Sequence, residues 1–239
     1  MKIVKQYLTL HHKFNSMETV KKTTAKKKLI DENFILSKYM ESVLENSMEP
    51  KNVYLFCKEY KIVESEFYTF YGSLDAVKKD VWTKFFENAT TTIEKDEAFE
   101  NYSDKNKLLT LYFTLFEILT LNRSYVLFTM KENENGIKNL KTLKQFIHHF
   151  KEFVENIIDS ETSGKSERVS RITKPVFAEG AWLQFLFLLK FWMEDSSKSF
   201  EKTDVLIEKS VNTVVDLLDT KPLESLFDLG KFLFKESRN

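Results

Sequence analysis

The stretch Phe67-Tyr68-Thr69-Phe70-Tyr71-Gly72-Ser73-Leu74-Asp75-Ala76-Val77 constrains this chain most. Aromatic residues crowd its first half, Gly72 interrupts them, and an amphipathic run follows. A Ser with an acid in the next turn caps a helix N-terminus and complements its dipole. The local reading is a short helix over Glu64–Phe70, a break at Gly72, and a long helix to about Ala89.

The rest of the chain agrees with an all-α fold. Sheets need turns about every ten residues, and those turns recruit Gly, Pro, Asn and Asp. Only 5 Gly and 3 Pro are spread over 239 residues, whereas Phe occurs 22 times. Apolar residues at helical spacing predict a first helix over Lys28–Asn46, with Phe34, Ile35, Tyr39, Val43 and Leu44 as its stripe. Pro50 opens a second helix carrying Val53, Leu55, Phe56, Cys57 and Tyr60. Further helices are expected over Lys105–Met130, Asn135–Ile158, Ala181–Glu194, Thr203–Leu218 and Leu223–Lys235, with Glu161–Glu167 as a polar loop. About nine helices result, three small ones first.

Charge is unevenly placed. Met1 to Ile30 holds eight Lys against one acid, while Asp31 to Asp80 holds six Lys against ten acids. A basic arm, expected over 1–27, therefore precedes an acidic segment. The single Cys57 excludes an internal disulfide and fits a reducing compartment; on an apolar helix face it reads as an inert thiol. No apolar stretch is expected to reach the roughly 18 residues that span a bilayer, since Gln184 and Lys190 interrupt Ala181–Met193. Met1–Phe14 lacks the apolar core of a signal peptide. The expectation is a soluble, cytoplasmic protein without membrane insertion.

From about Ile35 to Val77, without a gap, the pattern resembles the N-terminal helix-turn-helix of the TetR family of bacterial one-component regulators. That family has a short recognition helix ending in a Tyr-x-x-Phe-like aromatic set, then Gly-Ser, then a long connecting helix. The resemblance implies a headpiece over 28–74, in which Asn52–Tyr60 supports a reader helix, Glu64–Tyr71, that enters the major groove of double-stranded operator DNA. Tyr68 and Thr69 are the implied contacts, joined by Ser65, Ser73, Lys51 and Asn52. Lys26, Lys27 and Lys28 would meet phosphates. Phe67, Phe70 and Tyr71 read as core against Val43, Leu44 and Phe56. The departures are Glu64 and Glu66 where the reader usually opens with small and basic residues, Lys61 and Ser47 where Gly is expected, and Leu74 where Lys often follows Gly-Ser.

Residues 75–239 would then form a ligand-binding and dimerisation domain. Its aromatic wealth reads either as a Phe-rich core or as the wall of an apolar cavity. The expected pocket residues are Tyr112, Phe116, Arg123, Phe146, His149, Phe150, Trp182 and Phe185, for a hydrophobic or aromatic ligand of unknown identity. The family's two C-terminal dimer helices would correspond to Ala181–Met193 and Thr203–Leu218, with Leu186, Leu189, Phe191, Val211, Val214 and Val215 in the homodimer interface. Catalytic and cofactor motifs are missing: His148 and His149 are adjacent rather than at the i, i+4 spacing of a metal pair, and Ser163-Gly164-Lys165-Ser166 lacks the spacing of a phosphate loop. No enzyme activity, cofactor or metal is expected. Two readings stay open: a ligand-released repressor, or a protein of the same fold that has left DNA and binds lipid or a protein partner. The second resembles the ubiquinone-biosynthesis lipid-binding proteins.

Overall fold

The computed structural model describes residues 30–131, 141–157 and 167–218. Lys26, Lys27, Lys28, the 161–166 stretch and the expected helix at 223–235 lie outside the described residues. The chain divides into two compact units, Met1–Asp31 and Glu32–Asn239; the second carries all the elements below. Among the described residues there are nine α-helices and no strand.

The first three helices are short. α1 (Glu32–Asn46) buries Ile35, Leu36, Tyr39, Ser42 and Val43, one face of a helical repeat. Leu44, expected on that stripe, is 41% exposed, because the buried face turns toward Leu36 instead. α1 ends at Ser47, whose φ of 51° is left-handed. α2 (Val53–Tyr60) is capped by Asn52, whose Oδ1 accepts from the Leu55 amide at 2.9 Å. Pro50 thus precedes the helix rather than opening it. α2 stops at Lys61 (φ 57°), and the Ile62 amide donates to the Cys57 carbonyl at 2.9 Å. After this turn comes α3 (Glu64–Phe70).

Phe56 and Phe67 close the small core between these helices, their ring centroids 6.1 Å apart and both fully buried. Tyr71 joins them, but Phe70, expected there too, is 38% exposed. Tyr71 reaches this core from the extended C-cap of α3, at φ −136° and ψ 132°.

α4 (Leu74–Ile93) begins at Ser73, whose hydroxyl oxygen accepts from the Ala76 amide at 3.1 Å. It runs one turn past Ala89 and buries Val77, Val81, Trp82, Phe85, Phe86, Ala89 and Ile93. A short 3₁₀ turn at Phe99–Asn101 leads to α5 (Asp104–Leu121), capped by Ser103. The single helix expected over Lys105–Met130 is two: Asn122 leaves helical geometry, its side chain bonded back to the Ile118 carbonyl at 2.9 Å, and α6 (Arg123–Lys131) starts anew.

α7 (Lys144–Ile157) places Phe146, Phe150, Val154 and Ile157 on one buried stripe. It packs on α4, α5 and α8, so it occupies the centre of the body. α8 (Glu167–Glu194) is a 28-residue helix that contains Pro175, starting 14 residues before the expected Ala181. Its Lys174–Glu194 part is long and apolar enough, by length and composition, to cross a membrane, against expectation; here its face Ala178, Ala181, Trp182, Phe185, Leu188, Leu189 and Trp192 is buried in the body.

Asp195 then organises the turn into α9 (Glu201–Leu218). Its carboxylate accepts from the Ser197 amide (2.8 Å), the Thr203 amide (3.0 Å) and the Thr203 hydroxyl (2.7 Å). This cap lets α9 open at Glu201, two residues before the expected Thr203. Burial raises the Asp195 carboxyl, and the Ser197 and Thr203 hydrogen bonds outweigh that, holding it at about 2.

Candidate nucleic-acid interface

The N-terminus of α2, the body of α3 and the start of α4 enclose an open cleft of about 500 Å³. Pro50, Lys51, Asn52, Val53, Tyr54, Glu64, Tyr68 and Leu74 line it. Three of the residues singled out in the sequence, Lys51, Asn52 and Tyr68, are therefore brought together, and Tyr54 and Val53 are added. Tyr54 carried no sequence signal; its role in the cleft follows from the way the Asn52 cap sets the first turn of α2.

The other expected contacts surround this cleft. Ser65 and Thr69 are exposed on α3, and the Thr69 hydroxyl donates to the Glu66 carbonyl at 2.6 Å. Ser73 is exposed, its oxygen committed to capping α4. Tyr68 is 52% exposed, with its ring edge against the buried Phe67 ring at 5.5 Å. Packing on Phe67 restricts the Tyr68 rotamer and points a rigid amphipathic group outward. α3 itself carries Glu64 and Glu66 and no cation. Buried Cys57 lies behind this surface, and burial, then the nearby Glu64 charge, raises its thiol above the usual range. It is not a reactive cysteine.

Two contacts tie the headpiece to α4. The Tyr71 hydroxyl donates to Asp80 Oδ2 at 2.6 Å, and Lys78 pairs with Glu49 in the α1–α2 turn. One turn further, Trp82 and Phe86 meet the Phe146 ring of α7 at 5.9 and 5.7 Å. α4 is thus bonded to the headpiece at one end and packed into the body at the other.

In the body, six of the eight expected pocket residues form one cluster. Phe146, Phe150, Trp182 and Phe185 sit 5.3–6.3 Å apart, centroid to centroid; Phe116 adds on at Phe185 and Tyr112 at Phe150. The rings fill the space between α5, α7 and α8 themselves, at close-packed separations. The Tyr112 hydroxyl, deep in this cluster, donates to the Ala181 carbonyl at 2.7 Å, and burial raises its pKa.

Arg123 and His149 stand apart from the cluster. Arg123 donates to the Trp192, Met193 and Asp195 carbonyls at 2.8, 3.2 and 3.3 Å, and its guanidinium lies 4.3 Å from the Trp192 ring centroid. It satisfies the orphan carbonyls at the C-terminus of α8, where a cation is favoured by the dipole. Its expected place in a pocket is corrected to a clamp between α6 and α8. His149 lies toward solvent, its Nδ1 4.0 Å from Glu152.

The expected interface residues separate likewise. Leu189 and Val211 are buried within the chain, at 4% and 0% exposure. Leu186, Phe191 and Val214 are partly exposed, and the Val215 side chain lies outside the described residues. The apolar surface that α8 presents outward is instead Val176, Leu183 and Phe187, of which Leu183 is 63% and Phe187 57% exposed. An apolar run nearly all round could not tell which side faced the body.

Among the described residues, no group of three or more His, Cys, Asp or Glu is placed to hold a metal ion. No curated protein matches the chain. The sequence profile of the tetracyclin repressor-like C-terminal domain matches residues 107–233, a span that opens within α5 and continues beyond α9. With an all-α architecture and more than half of its length inside that match, the chain belongs to the TetR family.

Proposed function

We propose that this protein is a one-component transcriptional regulator that binds palindromic operator DNA as a homodimer in the cytoplasm and is released by a hydrophobic or aromatic ligand. The observation that carries the reading is the headpiece cleft: Lys51, Asn52 and Tyr68 converge beside a short exposed helix that follows a three-residue turn. Such a helix enters the major groove while its predecessor crosses the backbone. Ser65, Thr69 and Ser73 flank the cleft as further contacts, and Lys26, Lys27 and Lys28 add backbone affinity. Leu183 and Phe187 offer the self-complementary apolar surface of a two-fold dimer. A ligand entering between α5, α7 and α8 would part the rings around Phe146 and Phe150. Trp82 and Phe86 pack on the same rings, so that movement reaches α4 and the two reader helices. Selection of genomic DNA fragments by the purified protein tests the reading: enrichment of a palindrome supports it, and no enrichment counts against it.

One observation favours the second reading, a family member that has left DNA for a lipid or protein partner. Glu64 and Glu66 oppose phosphate at the reader face, and Tyr54, Leu55, Val63 and Tyr68 expose 43–58% of their surface there. Phosphate neutralisation supplies most non-specific DNA affinity, so the two carboxylates decide between the readings.

A further inference from the structure

A second cleft, of about 400 Å³, lies between α4 and the start of α7, away from the reader face. Lys79, Lys141, Thr142, Lys144, Gln145 and His148 line it. Three lysines and a histidine contribute to this lining, and among the described residues no carboxylate belongs to it. Among the described residues, two acids pair with this lining. Asp75 pairs with Lys79 along α4, one turn back, and Glu152 lies 4.0 Å from His148 Nε2 along α7. Lys141 and Lys144 make no ion pair with any described residue. A concave surface lined by one sign of charge focuses the field and concentrates counter-ions. The first turn of α7 adds the positive end of its dipole.

The place of this cleft in the fold matters as much as its charge. Lys79 lies within the headpiece attachment of α4, between Lys78 and Asp80. Tyr71–Asp80 and Glu49–Lys78 bind the helix to the headpiece, while Trp82 and Phe86 bind it to α7. An anion held by Lys79 on one side and by Lys141, Lys144 and His148 on the other links α4 to α7 at the point where α4 leaves the headpiece.

We propose that this cleft binds a phosphate-bearing small molecule that bridges Lys79 to Lys141, Lys144 and His148 and thereby ties the headpiece-bearing helix to the body. Phosphate is the chemistry that several point-charge donors with different origins satisfy at once. Gln145 supplies a neutral hydrogen-bonding group for the rest of the molecule. The volume lies within the roughly 300–1,000 Å³ of ligand sites. The site is separate from the apolar ring cluster, so such an effector would act beside, and not in place of, a hydrophobic ligand. Its effect on DNA rests on the proposed function; its binding does not.

Inorganic pyrophosphate is the probe, titrated calorimetrically into the full chain. The expected result is saturable binding, one per chain, weakened at least tenfold in Lys141→Gln/Lys144→Gln and unchanged in Lys209→Gln, an exposed lysine of α9. Absence of saturable binding, or equal binding by the double variant, overturns the proposal. A second arm separates a small anion from the DNA backbone. The double variant should keep the salt dependence of DNA binding, and a slope smaller by about one unit per lost lysine would assign the cleft to DNA phosphates and overturn the proposal. If the protein binds no DNA, the calorimetric arm alone decides. If it does, saturating pyrophosphate should shift operator affinity in the unmodified protein and not in the double variant, because coupling between sites is reciprocal. Intact pyrophosphate binding with no such shift overturns the bridge while leaving the regulator reading in place.

Discussion

The Tyr71 hydroxyl donates to Asp80 at 2.6 Å, joining the residue that caps the end of α3 to the second turn of α4. Tyr71 is 7% exposed, and its pKa is raised by burial first and then by Asp80 itself. Tyr71→Phe leaves the ring in place and removes the donor to a carboxylate. The expected loss is about 1.5–3 kcal/mol, the scale of a hydrogen bond to a charged group, measured by urea unfolding. Because the folded pKa lies above the unfolded one, this contribution is complete below the ordinary tyrosine pKa of roughly 10 and disappears as pH rises further. A variant as stable as the parent at pH 7 would show that the bond contributes nothing.

Asp195 offers the opposite pH dependence. Its carboxyl titrates at about 2 in the fold, below the roughly 3.9 of an unfolded aspartate, so its contribution is complete above the unfolded value. It is lost as pH falls through the folded one. Asp195→Ala should destabilise at pH 7 by about 0.5–2 kcal/mol, the range for a lost helix cap. The difference from the parent should shrink between pH 4 and pH 2. A gap that stays constant on acidification would contradict the charge-assisted cap.

Two positions invert the usual use of glycine. Lys61 holds a left-handed φ of 57°, where a Cβ costs roughly 1 kcal/mol. Gly72 is not left-handed, and an added Cβ would meet nothing within 4 Å. Lys61→Gly should therefore raise stability by about 0.5–1 kcal/mol, and Gly72→Ala should be neutral or stabilising. Thermal unfolding checks both. A destabilised Gly72→Ala would mean that the break before Ser73 needs glycine after all.

Leu183 and Phe187 should govern assembly. Leu183→Glu or Phe187→Glu is expected to give a folded monomer by light scattering, because both side chains already face outward. Leu189→Glu places a charge in the core and should unfold the chain, at a cost of several kcal/mol per buried unpaired ion. A stable monomer for the unmodified protein at micromolar concentration would end the dimer reading.

Much of the fold was legible because helix caps and stripes are local. Ser73 and the helical spacing of Phe146 and Phe150 fix their elements from neighbours a turn away. What escaped turned on single side-chain bonds, local or distant. Asn122 breaks a continuous apolar pattern through one side-chain bond to Ile118, and Asp195 starts α9 by reaching eight residues forward to Thr203. Arg123 has the composition of a ligand-orienting group, yet the α8 carbonyls it serves are about seventy residues away. Phe70 and Leu44 show the same limit on the headpiece: with seven- and fifteen-residue helices, a half-turn error moves a side chain from core to surface. Lys51, Asn52 and Tyr68, expected as a set, do line one cleft, since the turn that brings them together lies between them in the sequence.

The central claim is DNA recognition by an acidic reader helix, and the salt dependence of binding to a selected operator tests it most directly. A regulator of this kind predicts a steep fall of affinity with salt. Replacing Lys26, Lys27 and Lys28 by Ala should flatten the slope by about one unit per lost phosphate contact. Thr69→Ala should alter base preference with little change in slope. Glu64→Gln and Glu66→Gln should strengthen non-specific binding, since each removes repulsion from phosphate. A folded dimer that shows no salt-sensitive binding, even with both glutamates neutralised, would contradict DNA recognition and leave the lipid- or partner-binding reading.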